Sequence, residues 1–342
     1  MIGTRKSRAT QFTPCLILLL ALLPAGLAAQ ENNLVVTLVG TGGPELTPDR
    51  SGIATLIDLN GIQASLQYLL FDAGRSALEN IYAARTAPQN VTTIFLTHLH
   101  NDHIEGLPSL WITPWFLLGR TAPLRVWGPP GTRNMIAGMR QMYAHDLEQR
   151  SNLNFKRSDL DIEVHEITEG IVYTNGAVQV MAIPVEHADG NPAFAYRVQA
   201  AGHTVFLTGD ATLTSGLLAA AKGADVIISN VAAGTVALEN SGSIQPVLAK
   251  LMRPEQAAEL FTATAPRLAI FSHIVKKGLP GKAGDAEILR RTRRAGYRGP
   301  LRMGEDGMVI SIGAKIRVRS APSRQGLPDF DGPGSVFPVE RK

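Results

Sequence analysis

Between residues 97 and 103 the chain reads Thr97-His98-Leu99-His100-Asn101-Asp102-His103, three histidines and a carboxylate packed directly behind an apolar run. Imidazole nitrogens and carboxylate oxygens are donors that bind divalent metals without a thiolate; zinc fits them well, and iron or manganese is compatible. In an extended segment, alternation turns His98 and His100 to one side, and the turn that follows brings Asp102 and His103 round to a neighbouring point. That spacing suits two adjacent cations better than one. A merely polar surface loop is a poor explanation of such crowding.

Two cations need more donors than one segment supplies, and polar residues closing apolar runs are the candidates. His187 follows Val178–Val185, Asp210 follows Val205–Gly209, and His273 follows Leu268–Ser272. Each alone reads as an ordinary turn residue. Together with the first segment they complete a predicted ligand set of His98, His100, Asp102, His103, His187, Asp210 and His273. Asp72 is placed either to orient a ligand imidazole through its second N–H or to cap a turn. Trp111, Trp115 and Phe116 read as core, or as the apolar wall of a substrate pocket. His145 reads as a wall or surface residue, and His165 and His203 as structural or exposed.

The elements that must position these residues are short. Strands are predicted at Leu34–Val39, Ile53–Leu59, Leu66–Phe71 and Val91–Leu96, the last delivering the histidine-rich segment from a buried run. Gly40-Thr41-Gly42-Gly43-Pro44 stops the first strand and is expected to expose backbone N–H groups. Ser76 is placed to cap a helix to about Ala84, and another helix is expected over Thr132–Leu147. Further strands are predicted at Leu124–Trp127, Ile162–His165, Val178–Pro184, Ala193–Gln199 and Thr204–Leu207. Helices at Leu213–Ala221, Pro254–Thr264 and Asp285–Ala295 then alternate with strands at Val226–Asn230, Leu268–Ser272 and Gly307–Ile312. This order fits two mixed β/α halves around one core better than a doubly wound sheet.

Arg5, Lys6 and Arg8, the apolar run Cys15–Leu23 and the small residues Leu27-Ala28-Ala29 have the make-up of a secretory signal over residues 1–29. The run is too short to span a bilayer, so no stable membrane anchor is expected after cleavage, and the expected location is periplasmic or secreted. Residues 30–317 then form the folded domain, and residues 318–342, rich in Pro, Gly and charge, read as a disordered tail. Without the leader the chain holds 30 Lys+Arg against 29 Asp+Glu. So even a balance offers no electrostatic footprint for nucleic acid. Cys15 is the only cysteine, which leaves the mature chain without disulfides or thiolate ligands.

The chain resembles the metallo-β-lactamase superfamily, on the branch that holds ribonuclease Z and a group of secreted arylsulfatases. The resemblance rests on the His98–His103 motif, Val39–Pro44, Phe71-Asp72-Ala73-Gly74, Glu186-His187 with Pro192–Arg197, and Ser272-His273-Ile274-Val275, and it runs from about Leu34 to Ile312. It implies an α+β fold, a four-layered αββα sandwich. It also implies that His98, His100 and His187 hold one metal, that Asp102, His103 and His273 hold the second, and that Asp210 bridges them. Many true metallo-β-lactamases carry a cysteine where this chain has Asp210, which argues against β-lactam hydrolysis. The chain departs from the branch at Lys250-Leu251-Met252-Arg253-Pro254, where relatives place a histidine that serves the leaving group. The long basic arm that ribonuclease Z uses to hold tRNA is not evident either.

The expected activity is that of a hydrolase with two divalent metal ions, zinc fitting best, between which a bridging hydroxide attacks while Asp102 orients it. Without an obvious general acid, good leaving groups are favoured. A small-molecule sulfate ester or phosphodiester is therefore the expected substrate, and nucleic acid is not an expected partner. Carboxyl-ester or lactone hydrolysis on the same metals, or a catalytically weak metal-binding module, are the alternatives. Related enzymes often pair, so the resemblance allows a homodimer.

Overall fold

The run Leu34–Gly40 (β1) is buried along almost its whole length, as an apolar strand must be when both faces of its sheet are covered. The computed structural model describes residues 33–60, 62, 67–151 and 156–322, with Met1 and Gly3 besides. The chain divides into two units, Met1–Glu31 and Asn32–Lys342. The expected signal and most of the expected tail lie outside the described residues. Among the described residues, no helix is long and apolar enough to cross a membrane.

After β1 come Ala54–Asp58 (β2), Tyr68–Phe71 (β3), Ala77–Ala83 (α1), Thr93–Phe95 (β4), Asn101–Ile104 (α2), Leu107–Phe116 (α3), Leu124–Gly128 (β5), Thr132–Met142 (α4), Ala144–Ser151 (α5) and Ile162–Glu166 (β6). The second half holds Gly170–Asn175 (β7), Val178–Pro184 (β8), Phe194–Ala200 (β9), His203–Leu207 (β10), Ser215–Ala221 (α6), Val226–Gly234 (β11), Val236–Asn240 (α7), Gln245–Leu248 (α8), Pro254–Thr264 (α9), Leu268–Lys277 (β12), Gly281–Arg294 (α10), Leu301–Met303 (β13), Met308–Ile312 (β14) and Ile316–Arg319 (β15).

One sheet has the strand order β15-β14-β1-β2-β3-β4-β5-β6 and the other β13-β12-β11-β10-β9-β8-β7. Their facing surfaces share a core that includes Leu34, Phe71, Phe95, Tyr196, Val205 and Ile270. A second core lies under α1, α3, α4 and α5, and a third under α6, α9 and α10. The result is the αββα sandwich expected from the sequence.

Phe95 closes β4 and stacks on Phe71 at 4.9 Å and on Trp127 at 5.1 Å between ring centroids. Tyr196 Oη donates to Leu96 O at 2.8 Å. The strand is thus gripped from both sheets immediately before it releases His98.

Several sequence expectations need correcting. Ser76 makes no side-chain cap; its backbone is left-handed, with φ 65°. The helix expected over Thr132–Leu147 is two helices that meet at Tyr143. Of the two readings of Trp111 and Trp115, core is the one the structure bears out: both are buried and donate their indole N–H groups to Leu160 O and Lys156 O. The N–H groups of Thr41 and Gly42 are not exposed but donate to Asp306 and Ser51 O. β15 runs through Val318 and Arg319, so the boundary set at 317 falls inside a strand.

Candidate metal centre

The seven predicted ligands meet at one end of the sandwich. His98 and His100 leave β4, and Asp102 and His103 sit on the single turn of α2 that follows. His187 follows β8 and Asp210 follows β10. His273 does not follow its strand, as the sequence suggested. It lies within β12, where the register with β11 slips around Ser272–His273 and His273 takes φ 47°. A bulge of this kind re-aims a side chain without ending the strand. Gly209, at φ 56°, precedes Asp210, and a Cβ there would lie 2.6 Å from Phe194 O, so only glycine lets this loop pass so close to β9.

Donor atoms fall into three groups, each lying within 4.8 Å of one another: His98, His100 and His187; His98, His103 and Asp210; Asp102, His103 and His273. The ring partners fix the tautomers. Thr97 Oγ1 donates to Asp72 and accepts from His98 Nδ1 at 3.1 Å. His103 Nδ1 donates to Asp72 Oδ2 at 2.9 Å, His187 Nδ1 to Lys250 O at 3.3 Å, and His100 Nε2 to Asp189 Oδ2 at 2.9 Å. The second ring nitrogens, His98 Nε2, His100 Nδ1, His103 Nε2 and His187 Nε2, are left facing inward.

His98 Nε2 lies 2.9 Å from His100 Nδ1, which lies 3.3 Å from His187 Nε2. Lone pairs so disposed repel, and the spacing is close to the roughly 3.4 Å that separates ligands about 2.1 Å from a tetrahedral zinc. Around the other group, His103 Nε2, His273 Nδ1 and Asp210 Oδ1 are buried without a hydrogen-bond partner. His273 Nε2 lies 3.1 Å from Asp102 Oδ2, and Asp210 Oδ2 lies 3.6 Å from His103 Nε2. Both groups fit a divalent cation held by nitrogen and oxygen.

Electrostatics agree with this. Burial, and then the charge of His103, hold His98 well below the ordinary histidine range, which keeps it a neutral donor. Burial by itself would lower His103 and raise Asp210, but their mutual attraction, with Asp72 and His273 adding to it, overrides burial. His103 is driven well up and Asp210 well down. Three buried carboxylates, Asp72, Asp102 and Asp210, thus surround a point that draws positive charge.

A cleft of ≈ 320 Å³ opens onto this centre between Pro44, Glu45, His100, His187, Lys250 and Val275. Lys250 Nζ bonds Asp189 Oδ2 at 2.7 Å. His145 is exposed and does not line the cleft, His165 stacks on Trp127 at 4.5 Å, and His203 faces Asp225 at 3.7 Å.

Two positioning residues escaped the sequence reading. Asn230 Nδ2 donates to Gly209 O at 2.7 Å and Ala211 O at 3.0 Å while Oδ1 accepts from Met252 N, so one buried amide clamps the loop that carries Asp210. Asp189 is the outer carboxylate of His100. Its place two residues after His187 was the only signal in the sequence.

Residues 67–274 match the family described as "Beta-lactamase superfamily domain". Ribonuclease Z of Mycobacterium bovis (strain BCG / Pasteur 1173P2) is 34% identical over 204 residues, 58% of this chain and 70% of the relative. Ribonuclease Z of Mycobacterium avium is 31% identical over 287 residues, 82% of this chain and 98% of the relative. The crystal structure of human tRNase Z, short form, shares the fold with a TM-score of 0.60 at 21% identity, over 81% of this chain and 99% of that one. These likenesses overturn the expected small-molecule substrate, sulfate or carboxyl esters and lactones included, the binding-module alternative, and the exclusion of nucleic acid as a partner. The exclusion failed because a net charge averages over the whole surface. The chain belongs to the β-lactamase superfamily and, within it, to the family of these ribonuclease Z relatives.

Proposed function

We propose that the chain is a metal-dependent phosphodiesterase that cleaves RNA, with His98, His100 and His187 holding one divalent cation, Asp102, His103 and His273 a second, and Asp210 shared. The observation that carries this reading is the overlap of the three donor groups through His98, His103 and Asp210. The nitrogen and oxygen donor set favours zinc. Two such ions, when bound, supply a Lewis acid for the phosphoryl oxygen and lower the pKa of water from about 15.7 to roughly 7. No serine or cysteine nucleophile is then needed.

The chain's own residues orient and enclose. Asp72, Thr97, Asp189 and Lys250 O fix the imidazole tautomers. Asp102, on the cleft wall, is placed to hold the attacking water in line as well as to bind metal. The Lys250 ammonium, bonded to Asp189 and lining the cleft, belongs to the stretch that lacks the expected histidine; it can meet the scissile phosphate or the departing oxygen. Val247, Leu251 and Val275 provide an apolar side that lowers the local dielectric. RNA as substrate is supported by relatives named ribonuclease Z that match over nearly their full length.

The test is a parallel assay of the metal-loaded protein on a structured RNA, bis-p-nitrophenyl phosphate and p-nitrophenyl sulfate. Chelator-sensitive cleavage of the RNA and the diester is expected. Turnover of the sulfate alone, or of none of the three, would overturn the reading. Separately, residues 1–29 support a proposal of export to the periplasm or medium, which the N-terminal mass of the protein recovered from each fraction of its host would test.

A further inference from the structure

The near-neutral charge of the chain conceals an uneven distribution. Residues 290–319 carry nine Lys and Arg against two acidic residues, Glu305 and Asp306. Both sheets end on this stretch, β13 at the edge of one and β15 at the edge of the other. A cavity of ≈ 680 Å³ lies there, lined by Arg267, Arg293, Arg302 and Lys315 around the apolar residues Leu268, Leu301, Ile316 and Val318.

The four cations are not equally engaged. Arg267 pairs with Asp225 at 3.0 Å and donates to Gly313 O and Ala314 O, and Arg293 donates to Tyr297 O and Gly299 O. The carbonyls hold the Arg293 guanidinium in place without cancelling its charge, whereas Asp225 offsets that of Arg267. Arg302 and Lys315 are exposed and make no hydrogen bond or ion pair among the described residues. One fixed and two free uncompensated cations over an apolar floor match a strand that alternates phosphate charge with flat, apolar base faces.

We infer that this basic edge is a second contact surface for RNA, outside the catalytic cleft. The inference rests on the proposed RNA substrate. Arg302 pairs with Ile270 in register, and Leu268 begins the strand whose bulge carries His273. Leu268, on the floor of the cavity, therefore lies five residues, about 16 Å, from His273 at about 3.3 Å per residue along β12. An RNA reaching from cleft to edge spans several nucleotides, which a small diester cannot do. The competing role for such charges is to keep two exposed edge strands from pairing with other chains.

The test uses the metal-loaded full chain, a labelled stem-loop RNA read by stopped-flow anisotropy ahead of cleavage, and the double variants R302E/K315E and R302Q/K315Q. The charge reversal should weaken RNA binding by at least about tenfold at 0.1 M salt, and both variants should flatten the slope of log K against log salt by about 1.5. Turnover of bis-p-nitrophenyl phosphate should stay unchanged. The surface is refuted by unchanged affinity and slope, by a wild type that binds no RNA, or by variants that only self-associate. A wild type that binds RNA through this edge without cutting it would overturn the proposed function and leave the surface standing.

Discussion

Asp72 Oδ2 lies 2.9 Å from His103 Nδ1, and the same carboxylate accepts from Thr97 N at 2.8 Å. Asp72 itself sits at φ 59°, so a left-handed residue at the end of β3 is held where it can serve both partners. The role is to present His103 Nε2 inward. Asp72→Asn keeps an acceptor for Thr97 N but loses the charged partner of the imidazole. Metal affinity is expected to fall about 10- to 100-fold with little change in fold, measured by competition with a chromogenic chelator.

Lys250 separates leaving-group chemistry from metal chemistry. Lys250→Ala keeps the backbone carbonyl that holds His187 and removes the ammonium beside Asp189. If the ammonium serves the departing ribose oxygen, kcat for RNA falls about 100-fold while kcat for bis-p-nitrophenyl phosphate, whose leaving group needs no help, changes little. Equal losses on both substrates would place Lys250 on the phosphate instead.

Asn230 tests how Asp210, the proposed shared ligand, is held. Asn230→Ala leaves Met252 N and Gly209 O buried without their partner. A loss of about 2–4 kcal/mol in urea unfolding is expected, together with a reduced metal content. Unchanged stability would mean that water replaces the amide.

Asp58 should make stability depend on pH away from the site. Burial pushes its carboxyl from 3.8 to about 6, against the Asn60 N–H bond that favours the charge. A carboxyl raised in the folded state favours folding while protonated, so this contribution is present below pH 4 and is lost as pH rises through 6. Asp58→Asn should therefore stabilise the protein at pH 7.5 by up to about 3 kcal/mol and have almost no effect near pH 4. Urea midpoints at the two pH values check the sign.

The layered fold was legible because each strand that carries a ligand is an apolar run, and Pro254–Thr264 and Val178–Pro184 emerged with the predicted limits. That the seven candidate ligands would come together was legible for the same reason, since each lies where an apolar run gives way to polar residues. The extent of β12 was not. Ser272–His273 looks like a strand end, and only pairing with β11 on both sides of the bulge shows that the chain continues. β7, with its exposed Ile171 and polar Thr174 and Asn175, carries too weak an alternation to be recognised alone. Trp111 and Trp115 were ambiguous because closeness in sequence to His103 does not say which face of α3 is covered. The basic edge was hidden by the whole-chain charge, although three of its four lining cations, Arg293, Arg302 and Lys315, fall within the basic stretch 290–319.

The most direct test of the account is the metal content of the purified protein, measured together with its RNA cleavage for the wild type, His187→Ala and Asp210→Ala. The account predicts about two divalent ions per chain in the wild type, about one in His187→Ala, and fewer than two in Asp210→Ala, with RNA cleavage lost in both variants and in chelated wild type. RNA cleavage that survives in metal-free protein, or two ions retained in both variants, would contradict it.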